Sequence, residues 1–316
     1  MSDHVPLDEF QALETILHGF LLRELRVPCM IDVGAHHGTS LEPFLRAGWR
    51  VTAFEPVEDN RRQLQARLGH SPNLAVRSEA VSDQAGERTF HLALQLDGTL
   101  HEYHHSLEQF NEDPWHRKGP QVRVTTVTLD GLIERGELPS QVGYLKIDTE
   151  GHDLAVLRGA GKLGCEVVSV EFWNDQHDFG PSPSPARELV SLLAGRGYGA
   201  YVTVARQRHD TQVLYSTLEG THPAAWGNLI FFHDSRRELY DRLRGSPEWR
   251  MATRQAEVIG DLWRQLEEKE AVLQHLLKTA REREAVIQRL EGHIRQLEAN
   301  PGLVRRLVRW VRARQR

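Results

Sequence analysis

The stretch that decides the fold is MIDVGAHHGTS, residues 30–40. Its apolar start predicts a β-strand, and the turn through Gly34 and Gly38 leads into a segment with the pattern of a helix. In α/β proteins a strand–loop–helix of this kind presents backbone N–H groups and a helix N-terminus to a ligand. We therefore expect a ligand site at the carboxyl end of this strand.

A second strand is predicted over VTAFEP, residues 51–56, and it ends in an acid, Glu55, 21 residues after Gly34. A carboxylate at the tip of the second strand accepts hydrogen bonds from both ribose hydroxyls of a nucleoside. Glu55 is therefore a candidate for binding the ribose of a nucleoside-containing cofactor.

The spacing of the glycines distinguishes between two cofactors that contain a nucleoside, a dinucleotide and S-adenosylmethionine. A dinucleotide loop has the pattern G-x-G-x-x-G, and here His36 stands where its second glycine belongs. S-adenosylmethionine carries no pyrophosphate and tolerates a side chain there, and Asp32 inside the strand suits a cationic ligand. The motif favours S-adenosylmethionine over a nicotinamide cofactor, with Gly34, His36 and Gly38 in the binding loop.

A further strand over residues 143–148 ends in the polar cluster DTEGHD, residues 148–153. His152 is the first candidate for a general base, because imidazole titrates near neutral pH; the alternative is that it only packs at the start of the next helix. Asp148 is a second candidate base, or it pairs with the cationic end of the donor. Ser82 and Asp83, at the end of a strand, either contact the adenine or only form a turn.

A metal-assisted reaction is an alternative at this edge of the sheet. Asp148, Asn174 and Asp175 carry oxygen ligands of the kind that magnesium prefers. Residues 97–121 hold His101, His104, His105 and His116 without a clear period. Their spacing matches no zinc site, so we expect a lid or acceptor-binding loop, or a plain solvated loop, and no bound metal.

Strands alternate with helices from residue 30 to residue 232, which predicts an α/β fold with a doubly wound sheet. Cys29 and Cys165 border apolar runs and are expected to be buried thiols of a reducing compartment. Before residue 301 the chain has 33 basic and 44 acidic residues, a net charge of −11. This acidic body argues against a nucleic-acid substrate. No apolar run is long enough to span a membrane, so we expect a cytoplasmic protein.

The ordered motifs resemble the FkbM family of class I S-adenosylmethionine-dependent methyltransferases over about residues 30–233. The resemblance rests on residues 31–38, 54–56, 80–83, 128–130 and 145–152. It implies a Rossmann-like sheet of seven strands with the last one antiparallel. It also implies that Asp32, Gly34, Gly38, Glu55 and Asp148 line the donor site, and that the reaction is O-methylation of a sugar, glycan precursor or other natural product.

The character of the chain changes after residue 235. From residue 259 the sequence follows a heptad, and ten of its twelve a and d positions are apolar. This predicts a helical extension over residues 236–300, in which a long helix over residues 247–299 forms a coiled coil and makes the protein a homo-oligomer; a different partner helix or folding back on the domain are the alternatives. The predicted domains are thus 1–235, 236–300 and 301–316.

The last segment, residues 301–316, has six arginines and no acid. As a helix it places apolar residues with Trp310 on one face and most arginines on the other, as in helices that lie on an anionic membrane. We expect peripheral membrane contact here, at the inner face; packing against the acidic body or a protein partner are the alternatives. A non-catalytic adapter that keeps a methyltransferase fold is the alternative to the enzyme.

Overall fold

A computed structural model describes residues 9–99, 104–109, 117–177, 182–207, 210–299 and 301–314. The chain divides into two compact units, Met1–Gly260 and Asp261–Arg316. The first unit contains the strands and the sequence motifs, and the second is helical.

The strands and helices of the described residues follow one another along the chain. The strands are β1 (Cys29–Val33), β2 (Arg50–Phe54), β3 (Leu74–Arg77), β4 (Ala80–Val81), β5 (Gly86–Leu94), β6 (Arg117–Val127), β7 (Gln141–Ile147), β8 (Gly164–Trp173), β9 (Ala200–Gln207), β10 (Asp210–Tyr215) and β11 (Trp226–Phe232). The helices are α1 (Glu9–Glu24), α2 (Glu42–Arg46), α3 (Glu58–Leu68), α4 (Leu129–Glu134), α5 (Asp153–Arg158), α6 (Ala186–Ala194), α7 (Arg237–Gly245), α8 (Pro247–Glu298) and α9 (Pro301–Arg314).

The main sheet has the strand order β10-β9-β11-β8-β7-β1-β2-β3. Strands β3, β2, β1, β7 and β8 are parallel to one another, and β11 inserts antiparallel between β8 and β9. This confirms the Rossmann-like α/β fold and the antiparallel last strand. The reversal of strand order between β1 and β7 is the point at which open α/β sheets bind ligands.

The predicted number of seven strands is wrong, because the sheet has eight. The additional strand, β10, pairs antiparallel with β9 at the edge of the sheet. Only Thr211 and Val213 of β10 are buried. A short edge strand with two buried side chains carries little of the apolar pattern by which a strand is recognised in sequence.

Successive strand residues face two apolar clusters, one on each side of the sheet. Ile31 and Leu145 belong to the cluster that α4, α5 and α6 cover. Met30 and Tyr144, each one residue earlier, belong to the cluster under α1, α2, α3 and α7. This alternation follows from the pleat of a strand. Because both faces are covered, the central strands are apolar throughout, and the few polar residues on them stand out.

A small second sheet of order β4-β6-β5 follows β3. Strand β6 pairs parallel with β4 and antiparallel with β5. Between β5 and β6, Ser106 bridges to His91 of β5, and its hydroxyl donates to the carbonyl oxygen of Thr149 at 3.1 Å, which holds residues 104–109 at the carboxyl end of β7. The predicted histidine-rich loop therefore borders the ligand edge of the main sheet at His104 and His105; its members His101 and His116 lie outside the described residues.

The helices after the last strand begin within the first unit. Leu239, Leu243 and Trp249 are fully buried in the same cluster as α1, and Ala256 is the last core residue of α8 in that unit. Beyond Gly260, α8 and α9 form the second unit. Among the described residues, no helix has the length and apolar character needed to cross a membrane.

Candidate active site

The loop after β1 is fixed by contacts with two neighbouring strands. The backbone N–H groups of Gly34 and Ala35 both donate to the carbonyl oxygen of Phe54, at 2.9 and 3.0 Å. Gly34 has a φ of +84°, and a Cβ there would lie 1.8 Å from the carbonyl oxygen of Asp148. Only glycine permits this approach of β1 to the end of β7, so the residue is required at this position by packing.

Glu55 lies at the end of β2 with both carboxylate oxygens held by the backbone. Oε2 accepts from the N–H of His36 at 2.9 Å, and Oε1 accepts from the N–H of Val57 at 2.8 Å. Burial raises the pKa of Glu55 to about 7, although these hydrogen bonds oppose the shift. His36 itself has a φ of +48°, an uncommon backbone conformation for a residue with a side chain.

Asp32 and Gly38 hold the loop after β1 in place from its buried side. The side chain of Asp32 is fully buried and accepts a hydrogen bond from the hydroxyl of Ser40 at 2.8 Å. Burial raises its pKa, and the charge of Lys146 opposes that shift. At Gly38, a Cβ would lie 2.9 Å from Cδ1 of Leu68. Gly38 thus lets α3 pack closely against the loop.

Lys146 on β7 connects two of the predicted acids. Its Nζ lies 2.9 Å from Oδ2 of Asp148 and 3.8 Å from Oδ1 of Asp32. Burial alone would lower the pKa of Lys146, but the charges of Asp148, Asp32 and Glu14 raise it well above its usual value. Lys146 was not among the predicted site residues. The available signal was a single lysine within an otherwise apolar central strand, YLKI.

His152, immediately before α5, is buried and has partners at both ring nitrogens. Nδ1 lies 2.7 Å from Oε1 of Glu108, and Nε2 lies 2.9 Å from the hydroxyl of Ser82. The hydrogen bond with His152 lowers the pKa of Glu108, so Glu108 accepts and Nδ1–H donates. In that tautomer Nε2 accepts from Ser82. No pattern in the sequence marks Glu108, because it lies in a loop without periodicity.

A second histidine–carboxylate pair comes from the same loop. Nδ1 of His104 lies 3.1 Å from Oε2 of Glu150, and both side chains are about one quarter exposed, at 26 and 21%. The adjacent His105 accepts at Nδ1 from the backbone N–H of Ala93 at 3.0 Å. Its neutral ring therefore carries the proton on Nε2 and presents a donor there.

One cavity of about 700 Å³ joins these groups at the carboxyl ends of β1, β2 and β7. Of the predicted site residues, Gly34, His36, Glu55, Asp148 and His152 line it. His104, His105 and Leu107 of the predicted lid or acceptor-binding loop also line it, as do Lys146, Glu150 and Phe90, which were not predicted as site residues.

Four predicted site residues are not among the described residues that line the cavity: Asp32, Gly38, Ser82 and Asp83. Asp83 is exposed, and Ser82 is buried beneath the cavity against His152. Asp175 of the metal alternative bonds to Arg187 at 3.2 Å, and neither Asp175 nor Asn174 lines the cavity. Among the residues that the structure describes, no three histidine, cysteine or acidic side chains are grouped so that they could hold a metal ion.

Comparison with known proteins gives the class. Residues 32–199 match the model of the methyltransferase FkbM domain, which is more than half of the chain. The chain belongs to the FkbM methyltransferase family. No curated protein matches it.

Several solved structures show a weak overall similarity. Magnesium protoporphyrin IX methyltransferase from Synechocystis PCC 6803 has a TM-score of 0.36 and 10% identity, covering 71% of this chain and 78% of that one. The 1,6-didemethyltoxoflavin-N1-methyltransferase of Burkholderia thailandensis has a TM-score of 0.35 and 13% identity, with 73 and 80% covered. An rRNA methylase from Streptococcus thermophilus has a TM-score of 0.34 and 11% identity, with 69 and 94% covered. The family assignment rests on the sequence match alone.

The chain is a methyltransferase, and its cofactor is S-adenosylmethionine. The cavity fits this molecule in chemistry and in size. Glu55, after β2, offers carboxylate oxygens for hydroxyl groups, and the acids Asp148 and Glu150, after β7 on the other side of β1, suit a sulfonium cation. The volume of about 700 Å³ lies within the range of about 300–1,000 Å³ that is usual for small-molecule sites.

Proposed function

We propose that the chain is an S-adenosylmethionine-dependent O-methyltransferase that acts on a hydroxyl group of a sugar, a glycan precursor or another small natural product. The observation that carries the proposal is the contact between His104 and the carboxylate of Glu150, two residues that both line the cavity. A hydroxyl must lose its proton as it attacks a methyl group, so its methylation gains from a general base.

His104 is the better placed of the two histidines to take that proton. The side chain of His104 is 26% exposed on the cavity wall, against 3% for His152, and the carboxylate of Glu150 stabilises the imidazolium that forms. His152, which the sequence favoured, is buried and bonded at Nε2 to Ser82. We therefore assign His152 a positioning role: it ties residues 104–109 to the start of α5 through Glu108.

Asp148 is assigned a role in binding the donor, and not the role of the base. Its carboxylate forms the ion pair with Lys146, so one of its oxygens is committed to a cation of the protein. That supports the role of a charge that orients the cationic end of the donor, rather than that of a base. The acidic character of the chain before residue 301 supports a small-molecule or glycan acceptor over a nucleic acid.

The test is methyl transfer from an isotope-labelled donor to separate panels of nucleotide sugars, oligosaccharides, amines and RNA. We expect label in a hydroxyl-bearing compound, with the methyl group on oxygen by NMR. At a donor concentration near the Kd of the unchanged chain, Glu55→Ala should transfer much less label, whereas Glu58→Ala, whose side chain is two-thirds exposed on α3, should transfer as much as the unchanged chain. Label that appears only on amines or RNA would overturn the proposal. Failure to bind the donor would favour the alternative, a non-catalytic adapter that keeps a methyltransferase fold.

A further inference from the structure

The apolar seam of α8, formed by the a and d positions of the heptads that begin at Ile259, lies in solvent in the second unit. Seven of its side chains are between 52 and 59% exposed: Leu262, Leu266, Leu273, Leu276, Ile287, Leu290 and Ile294. A single helix is marginally stable in water and gains most of its stability when its apolar stripe is covered. The second unit therefore presents a long docking face.

Two cations interrupt the seam at d positions, Lys269 and Arg283, and their own helix provides no acid for either. Side chains interact along a helix at separations of three and four residues, and not between neighbours. Around Lys269 those positions hold Gln265, Leu266, Val272 and Leu273. Around Arg283 they hold Thr279, Ala280, Val286 and Ile287. A charge at a buried seam position needs a partner, so each cation needs an acid from elsewhere.

Each cation is followed by a glutamate at the e position, Glu270 after Lys269 and Glu284 after Arg283. In a parallel two-stranded coiled coil, a d side chain enters a hole of the facing helix that the d and e residues of the same layer border. Lys269 would thus reach the partner's Glu270, and Arg283 the partner's Glu284. Across a two-fold axis each pair forms twice, which neutralises both layers.

We propose that the seam is covered by a second copy of this chain, parallel and in register, and that these glutamates select the register. A shift by one heptad in either direction sets Lys269 beside Trp263 or Leu277 of the other helix and removes its acid. An antiparallel arrangement brings e positions against e positions, where glutamates 270, 284 and 291 repel. Isoleucine at three a positions with leucine at most d positions favours two strands.

The test uses two full-length variants with opposite charge at the proposed contacts. Glu270→Lys/Glu284→Lys makes both sites basic, and Lys269→Glu/Arg283→Glu makes both acidic. By sedimentation equilibrium at micromolar concentration, the unchanged chain should be a dimer, and each variant alone should dissociate with a Kd at least tenfold higher. An equimolar mixture should regain the dimer, and native mass spectrometry should find one chain of each kind, because every cation then faces an acid.

A matched control makes the same change of charge at the same spacing on the outer face: Glu268→Lys/Glu282→Lys, at c positions, should leave the dimer intact. The direction of the helices is tested with Ile294→Cys, which should form an intermolecular disulfide on mild oxidation only when the two chains are parallel and in register. A monomeric unchanged chain, variants that associate normally, a mixture that stays monomeric, or no disulfide at residue 294 would each overturn the proposal.

Discussion

The backbone N–H of His36 donates a hydrogen bond of 2.9 Å to Oε2 of Glu55, so the loop after β1 and the acid after β2 are held as one unit. The N–H of Val57 holds the other carboxylate oxygen. Because Glu55 is buried as well, its carboxylate has a fixed position before any ligand binds. This arrangement makes the end of β2 rigid at the point where we expect the ribose of the donor, and it leads to the first two predictions.

Removal of the Glu55 carboxylate should weaken donor binding. Glu55→Ala deletes the acceptor of charge-assisted hydrogen bonds, which contribute about 2 kcal/mol, roughly a 30-fold change in Kd. Isothermal titration calorimetry with S-adenosylmethionine measures the change. Glu58→Ala, three residues further along the chain and exposed, is the matched control and should bind normally. Equal affinities in the two variants would place the ribose elsewhere.

Donor affinity should also rise with pH and level off above about 7. Burial raises the pKa of Glu55 from 4.5 to about 7, so below that pH much of the empty site holds a neutral carboxyl. The ionised form accepts stronger hydrogen bonds from hydroxyl groups; binding therefore releases a proton, and affinity falls as the pH drops below 7.

Calorimetry of donor binding between pH 5.5 and 8, with the unchanged chain and with Glu55→Gln, checks whether affinity rises with pH because Glu55 ionises. The amide cannot ionise, so the dependence due to residue 55 should disappear. Asp153, whose pKa burial also raises to about 7, titrates in both proteins, and the difference between their profiles isolates Glu55. A slope that persists unchanged in the variant would assign it to another group.

The glycine that ends β1 should tolerate no side chain. Gly34→Ala would place a Cβ 1.8 Å from the carbonyl oxygen of Asp148, whereas Gly48→Ala, at a nearly equal φ of +82°, meets nothing within 4 Å. Gly48→Ala should cost about 1–2 kcal/mol of backbone strain. Gly34→Ala should lose about 1–3 kcal/mol more in the free energy of unfolding, from overpacking. Urea denaturation compares them, and equal losses would contradict the close packing of β1 against β7.

Replacement of His104 should affect turnover, whereas replacement of His152 should affect stability. With an acceptor from the panels, His104→Ala should lower turnover by about 10² or more while donor affinity and unfolding midpoint stay unchanged. His152→Ala should instead lower the free energy of unfolding by about 1–3 kcal/mol, because Ser82 and Glu108 lose a partner. Loss of turnover in His152→Ala without loss of stability would restore His152 as the base that the sequence favoured.

The C-terminal helix α9 should bind anionic lipid. Val308, Trp310 and Val311 are exposed, and the guanidinium of Arg314, the one arginine on the apolar side, lies 4.2 Å from the Trp310 ring. Each basic residue near an anionic surface adds about 1 kcal/mol. The full chain should therefore pellet with vesicles that contain phosphatidylserine, and a chain ending at residue 300 should not. Pelleting of both chains, or of neither, would contradict membrane contact; neutral vesicles are the control.

The sequence by itself determined the class of fold and predicted the two strand ends that border the cavity. Local patterns suffice there: residues 30–40 read as strand, glycine turn and helix, and the acid after β2 follows at a fixed spacing. The strand–turn–helix pattern and the position of the acid are both set by residues close together in the chain, so they can be recognised without the tertiary structure. The family match and the strand order agree with them. The heptad of α8 is equally local, and it predicted the long helix.

Only the tertiary structure decided which residues of these elements line the cavity and which support it from behind. Asp32 and Gly38 belong to the loop in sequence, yet burial under Ser40 and packing on α3 keep them off the cavity. Glu108 and Glu150 enter the site by pairing with histidines 44 and 46 positions away, and Lys146 enters it beside Asp32 of β1. No period in the chain marks such contacts, because they exist only after the sheet has brought β1, β7 and the loop after β5 to one edge.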